Sequence, residues 1–372
     1  MTEHVAAKEP QAKGRSRSEE RVLEIIETAR SKRPRFKDEH VTMSHGAGGK
    51  ATQTMIEGLF VPAFESESLA QLADAGTIDL AGVNVAMTTD TFVVRPIRFP
   101  GGSIGELAVN GTVNDLAAAG SRASAISVAL VLEEGLSADA LRAEVDAIAT
   151  AAAAAEVEIT AGDTKVVERG HADQMYVCTT GVGVVDQRAA LSPASLRPGD
   201  RALVSRSVGE HGTAIMLARG ELGLEADVQS DTRSLWPVAD ALLETAGPKL
   251  RCMRDATRGG VATVLNELAR ASGVGVSTDE ASVPVVPEVS GAAELLGIDP
   301  MYVANEGVMV AFVDPEVADD ALAALRALPG CEAAAEIGEV KDEPPGMVLV
   351  ETAFGGQRVM DMLAGDPLPR IC

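Results

Sequence analysis

The chain has 372 residues, 46% of them apolar, with 36 glycines and only 3% aromatic residues, the composition of a folded enzyme with room for two domains. A formal charge of −23 argues against a nucleic-acid ligand, whose phosphates need a basic face, and leaves any anionic substrate in need of local cations. Cys178, Cys252, Cys331 and Cys372 stand far apart with no CxxC pair, no signal peptide is recognisable, and runs such as ASAISVALVL are too short for a bilayer. These features predict a cytoplasmic protein with reduced thiols and no membrane contact.

In chain order, residues 1–38 carry 10 Lys or Arg against 7 Asp or Glu, while the remainder holds a net charge of −26. This shift marks a leader outside the core, a solvated arm or a helix over SEERVLEIIETARSK. Structure is expected to start near VTMSHGAGGK, whose Gly46, Gly48 and Gly49 precede Lys50 and a helix-like ATQTMIEGLFVPAF. VNVAMTTDTFVV reads as a strand, PGGSIGELAVNGTVNDLAAAG as a loop and a helix, ASAISVALVLEE as a strand and SADALRAEVDAIATAAAAAEV as a helix. EITAGDTKVVE and QMYVCTTGVGVV complete the first half as strands. The turn at Pro198, Gly199 and Asp200 marks a restart, which places a boundary near 190. Beyond it, helices are expected in GTAIMLARGE, LWPVADALLETA, GVATVLNELARAS and PEVADDALAALRAL, and strands in EGVMVAFV and MVLVET. From Met362 the chain should form an extended, mobile tail that ends on Cys372.

Three aspartates stand at the polar ends of apolar segments: Asp90, Asp115 beside Asn114, and Asp163 before Thr164 and Lys165. Such carboxylates are suited to hold Mg²⁺ while leaving coordination positions for phosphates, with Lys165 as a point charge; as single residues they are equally turn caps. HGAGGK lacks the Walker A pattern because Ala51 follows Lys50; it is a nest of N–H donors, a lid or a plain turn. RDATRGGVATVLNELA sets Arg254, Asp255, Thr257, Arg258 and Gly259 ahead of a helix, either as a phosphate site or as a cap with a solvated arginine. Glu306 in YVANEG is a candidate base or ligand. His211 is open to catalysis, a structural hydrogen bond or exposure, and no pattern for zinc is present.

Read in order, SHGAGGK, TTDTFVVRP, FPGGSIGELAVNGTVNDLA, TAGDTKVV, RDATRGGVATVLNELA, YVANEG and the terminal PRIC resemble the HypE family of hydrogenase maturation proteins from about residue 41 to the end. That family is similar to a wider group that includes aminoimidazole ribonucleotide synthetase and selenophosphate synthetase. The resemblance implies an α+β, two-domain PurM-like architecture: an N-terminal ATP-binding and dimerisation α/β domain over 39–190, a C-terminal α+β domain over 191–361, and a flexible tail over 362–372. It implies ATP and Mg²⁺ as cofactors, with Asp90, Asp115 and Asp163 as metal ligands, and Asn114, Thr164, Lys165 and Lys50 nearby. Gly46, Gly48 and Gly49 would close over the nucleotide, Arg258 and Gly259 would line the cleft, and His211 and Glu306 would surround the arriving tail.

The implied reaction is dehydration of an S-carbamoyl group on Cys372 to a thiocyanate. The carbamoyltransferase HypF would supply the carbamoyl group and a HypC–HypD complex would receive the cyanide. A homodimer is typical of the group. Eleven extended residues from Met362 reach roughly 36 Å, enough for one thiol to visit several sites. Glu106 and Glu210 depart from the lysine and aspartate frequent in the family. Another synthetase of the group, or a noncatalytic scaffold, are the alternatives. A selenophosphate synthetase would carry Cys or selenocysteine in the glycine loop, where this chain has none.

Overall fold

The computed structural model describes residues 34–220, 226–352, 355–363, 365 and 370–372. The leader's possible helix lies outside the described residues.

A short helix, α1 (Lys50–Met55), runs through a π-helical turn (Ile56–Phe60) into α2 (Val61–Phe64), so the expected helix is present with a bulge in its middle. Then follow β1 (Gly76–Leu80), β2 (Val83–Phe92), the small ribbon β3 (Arg98–Phe99) and β4 (Gly102–Ser103), α3 (Ile104–Ala118), β5 (Ser121–Glu133), α4 (Ala138–Ala154), β6 (Glu158–Val167) and β7 (Met175–Val185). The first sheet has the order β1-β2-β7-β5-β6, with only β5 and β6 parallel. Helix α3 is built of small and branched residues and is buried nearly all round, because it is wedged between this sheet and the second domain.

The second domain contains β8 (Arg201–Val204), α5 (Glu210–Ala218), α6 (Trp236–Ala246), β9 (Leu250–Asp255), α7 (Gly260–Ser272), β10 (Gly275–Asp279), α8 (Pro287–Leu296), β11 (Met309–Val313), α9 (Ala318–Arg326), β12 (Ala335–Lys341), β13 (Val348–Glu351) and β14 (Gln357–Met360). Its seven strands among the described residues lie in the order β14-β13-β10-β12-β8-β11-β9. Every residue of β11 is buried, in keeping with its place between β8 and β9. No helix among the described residues is long and apolar enough to cross a membrane.

Alternation along β2 and β7 divides the first sheet into two faces. One face carries Ala86, Thr88, Phe92, Val177 and Thr179 into the core under α3 and α4. The other is bare: Ile78, Leu80, Val83, Met87 and Val184 are each about half exposed on it.

Candidate active site

The cleft lies between the domains. Asp90 projects from β2 toward α3, where a Cβ on Gly111 would stand 3.4 Å from its carboxylate. Asp115 sits in the last turn of α3, Asp74 in the loop before β1, Asp255 at the end of β9, and Glu306 in the loop before β11. Together with Arg258 they line a cavity of about 660 Å³. Carboxylate oxygens of Asp74, Asp115 and Asp255 all lie within 4.8 Å of one another. Burial, aided by the neighbouring carboxylates, lifts Asp115, Asp255 and Glu306 well above the usual carboxylate range. Burial also raises Asp90, and it pushes Asp74 up to about 6 despite Arg254, whose Nε stands 2.8 Å from Asp74. A buried, all-oxygen, mutually repelling donor set fits a hard divalent cation such as Mg²⁺, because the ion supplies the charge the protein lacks.

The glycine segment forms the rim. Gly48 has φ +74, and a Cβ there would meet the Arg258 Cβ at 2.7 Å, so only glycine permits this approach. Gly46 accepts a hydrogen bond from Arg258 Nη1 at 3.4 Å, and Gly49 lies against the Leu363 carbonyl. Lys50 turns outward to Asp361, Nζ–Oδ2 2.6 Å, and thereby ties the rim to the root of the tail. Gly259 caps α7 at φ +76, where a Cβ would collide with Thr263.

The terminal residues are docked. Cys372 is only 9% exposed and lines both the acidic cavity and a second one of about 330 Å³ on its other side, with Arg258 shared between the two. Negative charge on Cys372 is the main reason the Arg258 guanidinium is held firmly protonated, with Asp90 and Glu306 adding to it. The described end of the tail, residues 370–372, has a seat in the cleft. Burial pushes the pKa of His211 down and keeps the ring neutral. Its Nδ1 accepts from the Ser230 hydroxyl at 2.8 Å, so Nε2–H donates to the Ile371 carbonyl at 3.0 Å. Of the three readings open for His211, burial excludes exposure, and the ring makes a hydrogen bond to the tail.

Two sequence expectations find different surroundings. Asp163, Thr164 and Lys165 are not in this cleft. Registration runs from Asp90 to Thr179, Val128 and Gly162, three strand spacings or about 14 Å across the sheet, and Asp163 faces the bare side. There Lys165 Nζ pairs with Asp163 Oδ2 at 2.5 Å. Within one chain, Asp163 therefore cannot share an ion with Asp90 and Asp115. Asn114 spends its polar atoms on the backbone: Nδ2 donates to the carbonyls of Arg233 (3.0 Å) and Glu306 (3.2 Å), and Oδ1 accepts from Leu235 N–H (2.7 Å). It pins α3 to the second domain.

Sequence reasoning passed over Asp74 and read Asp255 only as part of an arginine loop. The segment LADAG before β1 resembles any acidic turn, and only the fold brings it to β9. Asp231 was also missed: its carboxylate accepts from the backbone N–H of Glu306 (3.1 Å) and Gly307 (3.0 Å), which fixes the loop that presents Glu306.

These two domains meeting at an acidic cleft are those of the AIR synthase related proteins. The model for the N-terminal domain of that family matches residues 72–185, and the model for its C-terminal domain matches 197–351. Within this class, the carbamoyl dehydratase HypE of Bradyrhizobium diazoefficiens is 46% identical over 89% of this chain and 96% of its own length. A HypE structure in complex with ATP superposes with a TM-score of 0.75 at 44% identity, covering 90% of this chain and 100% of that one. A HypE chain from a HypE–HypF complex gives 0.79 at 40% identity, covering 83% and 99%. The chain belongs to the HypE family of hydrogenase maturation proteins.

Proposed function

We propose that this protein uses ATP to dehydrate an S-carbamoyl group on its own Cys372, giving a protein thiocyanate, ADP and phosphate. One observation carries the reading: the terminal cysteine is seated in the wall of the carboxylate-lined cleft, beside Arg258.

The amide oxygen is a poor leaving group, so it must first take the γ-phosphoryl group, with ADP departing. The nitrogen then gives up its protons, the C–O bond breaks with its electrons going to phosphate, and the carbon–nitrogen triple bond closes. Mg²⁺ held by Asp74, Asp115 and Asp255, with Asp90 alongside, would neutralise the phosphoryl oxygens. Arg258 offers a fixed cation to the phosphate next to the thiol. Glu306 accepts a nitrogen proton: burial and surrounding carboxylates raise its proton affinity toward that task. The Gly48–Gly49 rim supplies backbone over the nucleotide, and His211 holds the arm in position.

The carbamoyl group would come from HypF, and the cyanide would pass to iron on HypC–HypD. A homodimer through the bare face of the first sheet would cover its apolar side chains and give Asp163 and Lys165 a route to the nucleotide of a second copy. A Met87→Glu/Val184→Glu variant should then run as a monomer in light scattering, whereas a dimer of undiminished stability would remove this face from consideration.

The reaction itself is tested by intact mass of the C-terminal peptide after incubation with HypF, carbamoyl phosphate and ATP. A carbamoyl adduct that loses one water only with hydrolysable ATP, and that never forms on Cys372→Ala, is the expected outcome. An adduct that persists unchanged on ATP-competent protein would sink the dehydration.

A further inference from the structure

The three terminal residues are also gripped by contacts outside the carboxylate cluster. Arg370 is left-handed at φ 57, a conformation non-glycine residues rarely adopt, and the turn sends its side chain and its carbonyl to different partners. The guanidinium makes an ion pair with Asp173, donates from Nε and Nη2 to the Val93 carbonyl at 3.2 and 3.1 Å, and lies 5.9 Å over the Tyr176 ring. The Arg370 carbonyl accepts from Arg219 Nη2 at 2.7 Å and from the Arg95 N–H at 3.4 Å. Ile371, 4% exposed, is part of the first domain's core cluster with Phe92, Val94 and Phe99. The Cys372 carbonyl accepts from the Val93 N–H at 3.0 Å. Residues 370 and 372 are thus registered against 95 and 93, as an added strand would be.

We infer that Val93–Arg95, Asp173, Tyr176 and Arg219, with His211, form a recognition site for a C-terminal Arg-Ile-Cys peptide, and that Asp173 and Tyr176 read the arginine. This rests on the reading of Cys372 as the travelling substrate, and it adds what decides which thiol is admitted. The Ile371 side chain supplies most of the affinity through burial. The backbone pairing sets the register that places the sulfur between the two cavities, and the Arg370 contacts select the sequence. Asp173 lies in the loop before β7 and is 38% exposed, so its ion pair is tuned for release as well as capture. A transferase that needs the buried thiol must first break these contacts.

The test is the rate at which iodoacetamide alkylates Cys372 in the full chain without ATP, followed by mass spectrometry of the terminal peptide. Asp173→Asn should raise the rate about threefold, the range of a partly exposed ion pair. Ile371→Ala should raise it about tenfold or more, as expected for the loss of a buried aliphatic side chain. Asp173→Arg and Arg370→Asp should each raise it, and the double variant carrying both exchanges should return to within about twofold of wild type. A structural role alone would not give that restoration. Rates unchanged by Asp173→Asn, or a double variant as reactive as its single parents, would overturn the recognition site. Because alkylation needs neither ATP nor carbamoyl phosphate, failure of the dehydration reaction would leave this result standing, and the reverse holds too.

Discussion

Glu306→Gln protein is expected to accept a carbamoyl group on Cys372 at the wild-type rate and to dehydrate it about a hundredfold to ten-thousandfold more slowly. The substitution keeps the shape of a buried side chain that is 3% exposed and leaves its backbone contacts with Asp231, Arg233 and Asn114 in place. What it removes is the proton acceptor. Single-turnover conversion of pre-carbamoylated protein, read by mass, separates this from a defect in loading. ATP binding should be retained, since the substitution keeps the side chain's shape and burial already disfavours its charged form. Dehydration at an undiminished rate would assign the proton transfer to another group.

Asp255→Asn should act in opposite directions on catalysis and on stability. Product formation should fall on the order of a hundredfold or more, because even residues that only support a metal ligand are worth tenfold to a hundredfold. The melting temperature of metal-free protein should rise by about 2–4 °C, since one member of a repelling buried cluster becomes neutral. The same repulsion sets a pH dependence. The Asp74 carboxyl, raised from 3.8 to about 6, is disfavoured as a charged group in the folded state. Its penalty is absent below the unfolded value, grows between those two pH values and is complete above the upper one. Metal-free protein should therefore melt at a lower temperature at pH 7 than at pH 5, and millimolar Mg²⁺ should restore more stability at pH 7. Thermal scans at both pH values with and without Mg²⁺ check this. A melting temperature that is equal at both, and that does not respond to the ion, would refute the cluster as a cation site.

Local pattern made much of the first domain readable. Apolar stretches bounded by turn or polar residues marked β2, β5, β6 and β7, and helix-like stretches marked α3 and α4. Elements with weaker signals were passed over. GTIDL (β1) is a short edge strand, LRCMRD (β9) was absorbed into the arginine loop that follows it, and PEVSGAAELL (α8) has only three buried positions. Among site residues, Asp90, Asp115, Arg258 and Glu306 were visible as polar groups at the ends of apolar segments. Asp74 was not, since nothing in its own neighbourhood distinguishes it from a turn aspartate.

The sequence by itself determined the family, through seven motifs in a fixed order, and it singled out the terminal cysteine as the residue with chemistry to perform. Tertiary structure decided which carboxylates lie together and which do not. Asp163, grouped with Asp90 and Asp115 by motif, lies three strands away and faces the other side of the sheet, while Asp74 and Asp255, distant in sequence, close the cluster. It also decided where the tail comes to rest. Spacing and composition describe the reach of a chain, but a seat for Arg370, Ile371 and Cys372 exists only where β2, the loop before β7, and α5 with the arginine just beyond it converge on one point.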